Sequence, residues 1–220
     1  MTDDHRAFAS LSLREFSDAL ASDAPTPGGG SAAAIAGSLA AALVSMVTRL
    51  SVGRARYAAF GSTHEHALEV AEHARRRFLE LADEDASAYA KLVEARSTAR
   101  ASSAGGVPEN EGVRMAAHEA AQVPMFVVRE CYALIDQVDR LAGRSNLNAA
   151  SDLDVAARLL EAAARGAGAN VIVNLPSIGD ERLADSMLGE LEVRLHEIVS
   201  AVARIASQVR SEGLRAPESA

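Results

Sequence analysis

Asp85 is the side chain that the sequence best places for proton transfer. It follows Leu81 by four residues and precedes Tyr89 by four, on the apolar stripe of a predicted helix, so its carboxyl is expected to face the interior. A carboxyl group withdrawn from water has a raised pKa and can exchange protons near neutral pH. Asp85 is therefore the candidate general acid or base. The same position also fits a salt bridge or a helix-cap contact inside a bundle.

A glycine-rich turn is the second feature that could do chemistry. Gly28, Gly29, Gly30 and Ser31 follow two prolines and precede residues 32–48, a run without any charged side chain. The prolines and glycines end any incoming helix, and the run predicts a new helix that starts at Ser31, whose side chain can cap it. Bare N–H groups at a helix start can hold an anionic or carbonyl oxygen, although the same turn fits a helix start without a ligand.

Two pairs of polar residues could contribute to a site, and each pair also has a structural interpretation. Asn170 and Asn174 lie one turn apart if residues 170–174 are helical, and buried amides there could bind a ligand or join helices. Arg114 and His118 share a predicted helix face with small residues. Their spacing alone favours a solvated surface.

The composition limits the fold classes and the functions that are compatible with this chain. Of the 220 residues, 49% are hydrophobic but only 4% are aromatic, and Trp is absent. The core must therefore consist of Ala, Leu, Val and Ile, which favours close-packed helices. The net charge of −8 argues against a nucleic-acid-binding surface, which needs a concentrated basic face. The single cysteine, Cys131, excludes an internal disulfide and a cysteine-based metal site, and the histidines predict no metal site either.

The expected location is the cytoplasm. The start of the chain is polar and lacks the apolar segment of a secretory signal. The apolar run at 32–47 is too short, and too rich in Ala, Gly and Ser, to be a convincing membrane span. These patterns predict neither a membrane nor a nucleic acid as a partner.

Helical periodicity organises nearly the whole chain. One domain is predicted over residues 1–213, with a disordered tail over 214–220. The second helix is apolar or small on every side, so we expect it at the centre of the bundle or at a dimer interface. About six helices are predicted, over residues 12–24, 31–52, 61 onward, 108–142, 151–166 and 180–212, with a further helical segment over 170–174 and a loop over 97–112.

Local signals predict how some of these helices begin and bend. Ser12 and Glu15 form a capping-box pattern at the first helix. Ser151 or Asp152 is expected to cap the fifth. Pro124 removes a backbone hydrogen bond inside the fourth helix and should kink it.

Six segments, taken together and in order, resemble the cyclodeaminase/cyclohydrolase family. That family includes the C-terminal domain of formiminotransferase-cyclodeaminase and free-standing methenyltetrahydrofolate cyclohydrolases. The resemblance extends from about residue 12 to residue 209. It implies an all-α bundle of long antiparallel helices, a homodimer, and chemistry on one-carbon units attached to tetrahydrofolate. The segments are Pro25–Ser31, Asp83–Asp85, Arg114, Ala121–Pro124, Asn146–Asp152 and Asn170–Leu175.

The resemblance suggests roles for the residues that would hold the reacting end of a folate. Asp85 would be the general acid or base. Asp152 would pair with the amino and ring N–H groups of the pterin, with Asn148 and Asn174 beside it. The turn at residues 28–31 would contact the substrate through backbone N–H groups.

Other implied contacts concern the rest of the substrate. Arg114 would bind a glutamate carboxylate, because its planar guanidinium matches that group. The family usually carries a lysine near the segment that reads Ala104–Glu109 here, so folate-tail binding by this loop is left open. The substrate would be a tetrahydrofolate derivative, and the chemistry requires no metal, nucleotide or other tightly bound cofactor.

The sequence leaves several functions open. A cyclodeaminase closes a formimino carbon onto nitrogen and expels ammonia, whereas a cyclohydrolase adds water to the methenyl carbon and opens the ring. Both reactions pass through a tetrahedral carbon flanked by nitrogens and need proton transfer. The alternatives are a non-catalytic helical dimer that binds folate or another heterocycle, and a purely structural scaffold in which the buried acid and amides are packing devices.

Overall fold

The computed structural model describes residues 6–101 and 111–217. All regular structure in these residues is helical, which confirms the predicted all-α bundle of about six helices. The α-helices are α1 (Leu13–Leu20), α2 (Gly29–Arg49), α3 (Gly61–Ala101), α4 (Glu111–Leu141), α5 (Ala150–Asn174) and α6 (Glu181–Ser211). Short 3-10 turns are found at Phe8–Ser10, Ala55–Phe60, Leu147–Ala149 and Leu175–Ser177.

The central helix is α2, in which 12 of 21 residues are buried. It packs against α3 and α5, and α4 packs against α3, α5 and α6. Small residues permit this close packing: a Cβ at Gly37 would lie 2.7 Å from the ring of Phe78. By length and composition α2 could cross a membrane, but 61% of its most apolar 18-residue window is buried within the chain.

α2 and α5 run antiparallel. At one end, the Cβ position of Gly29 lies 3.8 Å from Nδ2 of Asn170, near the end of α5. At the other end, the backbone N–H of Asn146, just before α5, donates to the hydroxyl of Ser51, just after α2 (2.8 Å). The start of α2 therefore lies beside the end of α5, and the end of α2 lies beside the start of α5.

The first two helices begin in different ways. The hydroxyl of Ser12 accepts the N–H of Glu15 (3.2 Å), and the Glu15 carboxylate accepts the N–H of Ser12 (2.6 Å), which confirms the capping box. α2 begins at Gly29, with Gly28 in the cap position. The predicted start and cap at Ser31 are therefore wrong, because Ser31 already lies inside the first turn and is buried.

The fifth helix also starts differently from the prediction. α5 begins at Ala150, and Ala149 in the cap position provides no side-chain hydrogen bond. The predicted cap by Ser151 or Asp152 is wrong, since both residues lie inside the first turn. Asn146 instead accepts the N–H of Asn148 (3.2 Å) and stabilises the 3-10 turn that leads into α5.

Helix ends differ from the expected spans by a few residues. α2 ends at Arg49, three residues before the predicted end. α3 continues to Ala101, so residues 97–101 are helical rather than part of a loop. The segment 102–110, which includes the position of the family lysine, lies outside the described residues.

Residues 213–217, after α6, follow the bundle surface. The backbone N–H of Arg215 donates to the carbonyl of Gly143 (2.8 Å), and its guanidinium donates to Asp139 (3.1 Å). Of the tail predicted at 214–220, residues 218–220 lie outside the described part of the chain.

Candidate active site

A cavity of about 250 Å³ lies where the first turn of α2 meets α3, α4 and α5. It brings together predicted site residues from three distant parts of the sequence: the glycine turn, Asp85 and Asn174. The residues that line it are Pro25, Thr26, Gly28, Gly29, Gly30, Asp85, Tyr89, Ala120, Asn170 and Asn174.

Asp85 projects from α3 toward the start of α2. Its Oδ2 lies 3.0 Å from the hydroxyl oxygen of Ser31, in the first turn of α2. Burial raises the pKa of the Asp85 carboxyl above its ordinary value, although hydrogen bonds from Ser31 oppose this shift. The carboxyl is thus directed inward, as the spacing predicted, and its proton affinity is increased.

The hydroxyl of Ser31 links Asp85 to the backbone of α3. It lies 3.0 Å from the carbonyl of Ala82 and 3.0 Å from Asp85, but a hydroxyl has only one hydrogen. When Asp85 is ionised, Ser31 can donate to the carboxylate. When Asp85 is protonated, the carboxyl can donate to Ser31 while Ser31 donates to Ala82. Ser31 can therefore form a hydrogen bond with either protonation state of Asp85.

Gly30 allows the carboxyl of Asp85 to lie against α2. A Cβ at Gly30 would overlap that carboxyl group. The start of a helix carries a partial positive charge and unpaired N–H groups, which attract a carboxylate. The glycine is therefore needed for close approach between two helices.

The end of α5 provides hydrogen-bond acceptors. Pro124 has no N–H, so the carbonyl of Ala120 has no donor at that position of α4. Asn174 Nδ2 donates to this carbonyl (3.0 Å) and to the carbonyl of Asn170 (2.9 Å). Asn170 Nδ2 donates to the carbonyl of Gly166 (2.9 Å). Because both amide nitrogens are used in this way, the two amide oxygens are the atoms available to accept from a ligand.

Five residues that line the cavity are not among the site residues that the sequence predicts: Pro25, Thr26, Tyr89, Ala120 and Asn170. Tyr89 lies one helical turn after Asp85, and that spacing was its only signal. Thr26 precedes Pro27 in the turn before α2. Asn170 was recognised as the partner of Asn174 on one helix face but was not assigned to the site.

The polar groups of the cavity suit an organic ligand with N–H groups. One titratable carboxyl, from Asp85, and two amide oxygens face a small space. In residues 6–101 and 111–217, no group of three or more His, Cys, Asp or Glu side chains could hold a metal ion.

Arg114 lies outside this cavity, in a separate groove of about 570 Å³ between α4 and the start of α6. It precedes Ala120 by six residues, or about 9 Å along α4. Its guanidinium packs against Gly179: a Cβ there would lie 2.5 Å from Nε of Arg114, and φ is +70°, a conformation that favours glycine. The structure places Arg114 near the cavity but not in it.

Asn148 and Asp152 are not brought to the cavity within one chain. Asp152 lies in the first turn of α5 and Asn174 at its end, about 33 Å apart along the helix axis. Asn148 is exposed in the 3-10 turn just before α5. These two residues lie beside the end of α2, whereas Asp85 lies beside its start.

Comparison with known proteins gives a consistent result. Residues 12–193 match the family model described as formiminotransferase-cyclodeaminase. The chain is 35% identical to the methenyltetrahydrofolate cyclohydrolase of Methylorubrum extorquens, covering 91% of this chain and 96% of that protein. It is 33% identical to the formimidoyltransferase-cyclodeaminase of Mus musculus, covering 77% of this chain but 31% of that longer protein.

A solved structure agrees with these matches. The crystal structure of formiminotetrahydrofolate cyclodeaminase from Thermotoga maritima superimposes with a TM-score of 0.83 at 34% identity, covering 92% of this chain and 98% of that chain. The family match covers the glycine turn, Asp85, Arg114 and both asparagines of the cavity. The sequence-based family assignment is confirmed, and the chain belongs to the formiminotransferase-cyclodeaminase family.

Proposed function

We propose that this chain is an enzyme of one-carbon folate chemistry, which acts at a carbon bonded to the nitrogens of a tetrahydrofolate derivative. The observation that carries the proposal is the partly buried Asp85 carboxyl, with a raised pKa, against Ser31 and the glycine turn. Full-length similarity to a cyclohydrolase and to a cyclodeaminase supports the same assignment.

The cyclohydrolase reaction is the first candidate. Water adds to the methenyl carbon, and one of its two C–N bonds then breaks to give a formyl group. Because the methenyl form is a cation, the attacking water gives up two protons: the first, lost on attack, ends on the departing nitrogen, and the second leaves the new hydroxyl for solvent as the formyl C=O forms. Ionised Asp85 accepts the proton from water and, once protonated, donates it to the nitrogen. The match to the cyclohydrolase of Methylorubrum extorquens over 96% of its length favours this reaction.

The cyclodeaminase reaction is the second candidate, favoured by the Thermotoga maritima structure. A folate nitrogen attacks the formimino carbon, the bond from that carbon to its amino group breaks, and ammonia leaves. The attacking nitrogen loses its proton as the new C–N bond forms, and the departing nitrogen takes up the protons that make it ammonia, one of them from protonated Asp85. The two reactions therefore use the same carboxyl in the same cavity and differ in the leaving group.

The cavity and the groove that contains Arg114 fit different parts of a folate. A pterin ring carries amino and ring N–H groups, which can donate to the amide oxygens of Asn170 and Asn174. The N–H groups of Gly29 and Gly30, at the start of α2, can bind a carbonyl oxygen. Arg114, about 9 Å farther along α4, is placed to bind a glutamate carboxylate at the other end of the substrate.

The proposal includes a homodimer. Its support is an exposed strip along α2, here called the α2 face, that carries no charged side chain. On this strip Leu39 is 53% exposed, Met46 38% and Leu50 39%, although large apolar side chains are normally buried. The α2 face consists of Ala32, Ile35, Leu39, Leu43, Met46 and Leu50.

A direct assay tests the function. Purified protein is mixed with 5,10-methenyltetrahydrofolate or with 5-formiminotetrahydrofolate, and the absorbance of the methenyl form is followed together with ammonia release. A cyclohydrolase accelerates loss of the methenyl absorbance, and a cyclodeaminase produces that absorbance with ammonia. Thermal stabilisation by folates without turnover would instead indicate a non-catalytic binding protein, and no response at all would indicate a scaffold.

A further inference from the structure

A second cavity, here called the Gln137 cavity, lies in a part of the bundle that the proposed reaction does not use. It is bounded by the start of α3 and by later turns of α4 and α6, and its volume is about 720 Å³. Small-molecule sites commonly have volumes of about 300–1,000 Å³. Gln137, which lines it, lies about 25 Å along α4 from Ala120 of the Asp85 cavity. The two cavities are therefore separate.

Gln137 provides a buried hydrogen-bond acceptor without a donor. The residue is 5% exposed. Its Nε2 donates to Oδ2 of Asp136 (3.1 Å), and because an ionised carboxylate only accepts, this contact fixes which end of the amide is the nitrogen. Its Oε1 is buried and meets no donor among residues 6–101 and 111–217. A buried acceptor in that state costs free energy, so a donor from a bound molecule would stabilise it.

Apolar side chains line the same cavity. Ile135 and Ala201 are buried there and Val70 is half-buried, so they offer a surface on which a flat ring can pack. Tyr132 also lines the cavity, and a hydrogen bond to the carboxylate of Glu197 raises the pKa of its hydroxyl. Because the Tyr132 hydroxyl donates to Glu197, it is not the donor that Gln137 lacks.

The charged side chains at the edge of the cavity favour an N–H donor over an anion. Asp136 and Glu197 are exposed carboxylates of the lining. The lining arginine, Arg204, already donates to a carboxylate of α4 (2.9 Å). The lining histidines, His66 and His196, each offer one donor and one acceptor when the ring is neutral. The edge therefore attracts N–H groups more strongly than it attracts a carboxylate or a phosphate.

We infer that the Gln137 cavity is a second binding site, which takes a small planar molecule with an amidine or an aromatic amino group. One N–H of this group donates to Oε1 of Gln137, and the flat body packs against Ile135 and Ala201. The remaining N–H groups face the carboxylates of Asp136 and Glu197. No residue of the Asp85 cavity takes part, so this site is independent of the proposed folate chemistry.

Three probes of nearly the same shape test this chemistry. Benzamidine is a cation with N–H donors, benzamide is neutral with N–H donors, and benzoate is an anion without them. Binding is followed by NMR of protein labelled at the isoleucine δ1 methyl groups, with the Ile135 signal assigned by its loss in Ile135→Val. Of the six isoleucines, all within the described residues, Ile135 lines the Gln137 cavity and none lines the Asp85 cavity. The Ile135 signal therefore reports on this site.

The three probes should differ in affinity. Benzamidine should produce a saturable shift of the Ile135 signal, and benzamide should do so at higher concentration. Benzoate should bind at least tenfold more weakly than benzamidine. The absence of a saturable shift with benzamidine, or equal binding of benzoate, would overturn the inference.

Gln137→Leu tests the buried acceptor. Leucine fills a similar space but has no polar side-chain atom, so benzamidine should bind at least tenfold more weakly. The variant should melt at an equal or higher temperature than the wild type, because the unpaired acceptor is gone. An Ile135 titration identical to that of the wild type would show that Oε1 does not hold the probe, and this too would overturn the inference.

A second variant blocks the cavity and leaves the amide in place. Ala133 is exposed and lines the cavity, so Ala133→Leu fills part of the space that the probe needs. Ala162→Leu, at an exposed position of α5 outside both cavities, is the matched control. We expect Ala133→Leu to lose the benzamidine-dependent shift and Ala162→Leu to keep it. If Ala133→Leu binds benzamidine as the wild type does, the probe lies elsewhere and the assignment of this cavity is wrong.

Discussion

At the level of single residues, the chemistry of the cavity depends on how Asp85 is held. Burial raises its pKa, and Ser31 lies within hydrogen-bond distance of both the carboxyl and the carbonyl of Ala82. A carboxyl with a raised pKa can act as base when ionised and as acid when protonated. Asp85 and Ser31 therefore lead to separate predictions.

Asp85→Asn should abolish proton transfer while keeping the fold. We expect turnover to fall by about 10²–10⁴, the usual contribution of a general acid or base. Because the pKa of Asp85 is raised on folding, its ionised form disfavours the folded state at pH values above that pKa. The variant should therefore unfold at an equal or higher temperature than the wild type at neutral pH. Unchanged turnover in a folded variant would contradict the role of Asp85.

Ser31→Ala should shift the pH dependence of the reaction. The hydrogen bond from the Ser31 hydroxyl lowers the pKa of Asp85, so its loss raises that pKa further, while the backbone N–H of residue 31 is retained. If ionised Asp85 is the base of the hydrolysis, kcat/KM falls as the pH decreases through this pKa, and the fall should occur at higher pH in the variant. Profiles of kcat/KM against pH for both proteins measure the shift. Coincident profiles would show that Ser31 does not tune the reacting group.

Gly30→Ala should inactivate the enzyme through displacement of Asp85. The added methyl group overlaps the carboxyl, which must move away from the start of α2. We expect a loss of activity of at least tenfold, measured with the methenyl absorbance assay. The control is Gly189→Ala in the exposed part of α6, where a Cβ meets nothing within 4 Å. It should keep full activity and gain up to about 1 kcal/mol in stability.

At the level of helices, α4 and α5 are joined at the cavity by a side-chain hydrogen bond, which replaces a backbone hydrogen bond that α4 lacks. Pro124 leaves the carbonyl of Ala120 without its usual donor, and Asn174 supplies one from α5. This contact also determines which atom of the Asn174 amide is left as an acceptor. The proline in α4 therefore helps to orient a side chain on another helix.

A double-mutant cycle tests this coupling. Asn174→Ala should lower the free energy of unfolding by about 1 kcal/mol, the typical net value of a hydrogen bond. In a Pro124→Ala background the cost should be smaller, because residue 124 now donates an N–H to Ala120. Chemical denaturation of the four proteins gives the interaction energy, and the effect of proline removal on packing cancels in the cycle. Additive changes would contradict the coupling.

At the level of the whole molecule, the bundle leaves the α2 face exposed. Leu39, near its middle, is 53% exposed although α2 is the central helix of the bundle. An apolar strip of this length on a core helix supports the proposed homodimer interface.

Leu39→Glu should therefore yield a folded monomer. The charge would be buried in the dimer but solvated in the monomer, so dissociation is favoured over unfolding. Val193→Glu on α6 is the matched control, because Val193 is 60% exposed and lies outside the α2 face. Analytical ultracentrifugation and circular dichroism distinguish the two variants. A dimeric Leu39→Glu protein would contradict the proposed interface.

The helices and the candidate acid were accessible from the sequence because they depend on local patterns. A 3.6-residue period in an alanine- and leucine-rich chain predicts helices, and the spacing of Asp85 from Leu81 predicts an inward carboxyl. The glycine turn was found because proline and glycine affect the backbone wherever they occur. The same local reasoning assigned Ser31 as the cap of its own helix, since a sequence does not show which neighbouring helix approaches a hydroxyl.

Only the tertiary structure decided which distant residues meet. Packing of α2 against α3 brings Ser31 and Gly30 into contact with Asp85. Packing of α5 against α4 lets Asn174 donate to the carbonyl of Ala120, which has no backbone donor because residue 124 is proline. The antiparallel course of α2 and α5 separates Asn148 and Asp152 from that cavity by about the length of a helix, which the polar motif alone could not reveal. Contacts of this kind depend on how whole helices pack, and that information is distributed over the chain rather than contained in any one segment.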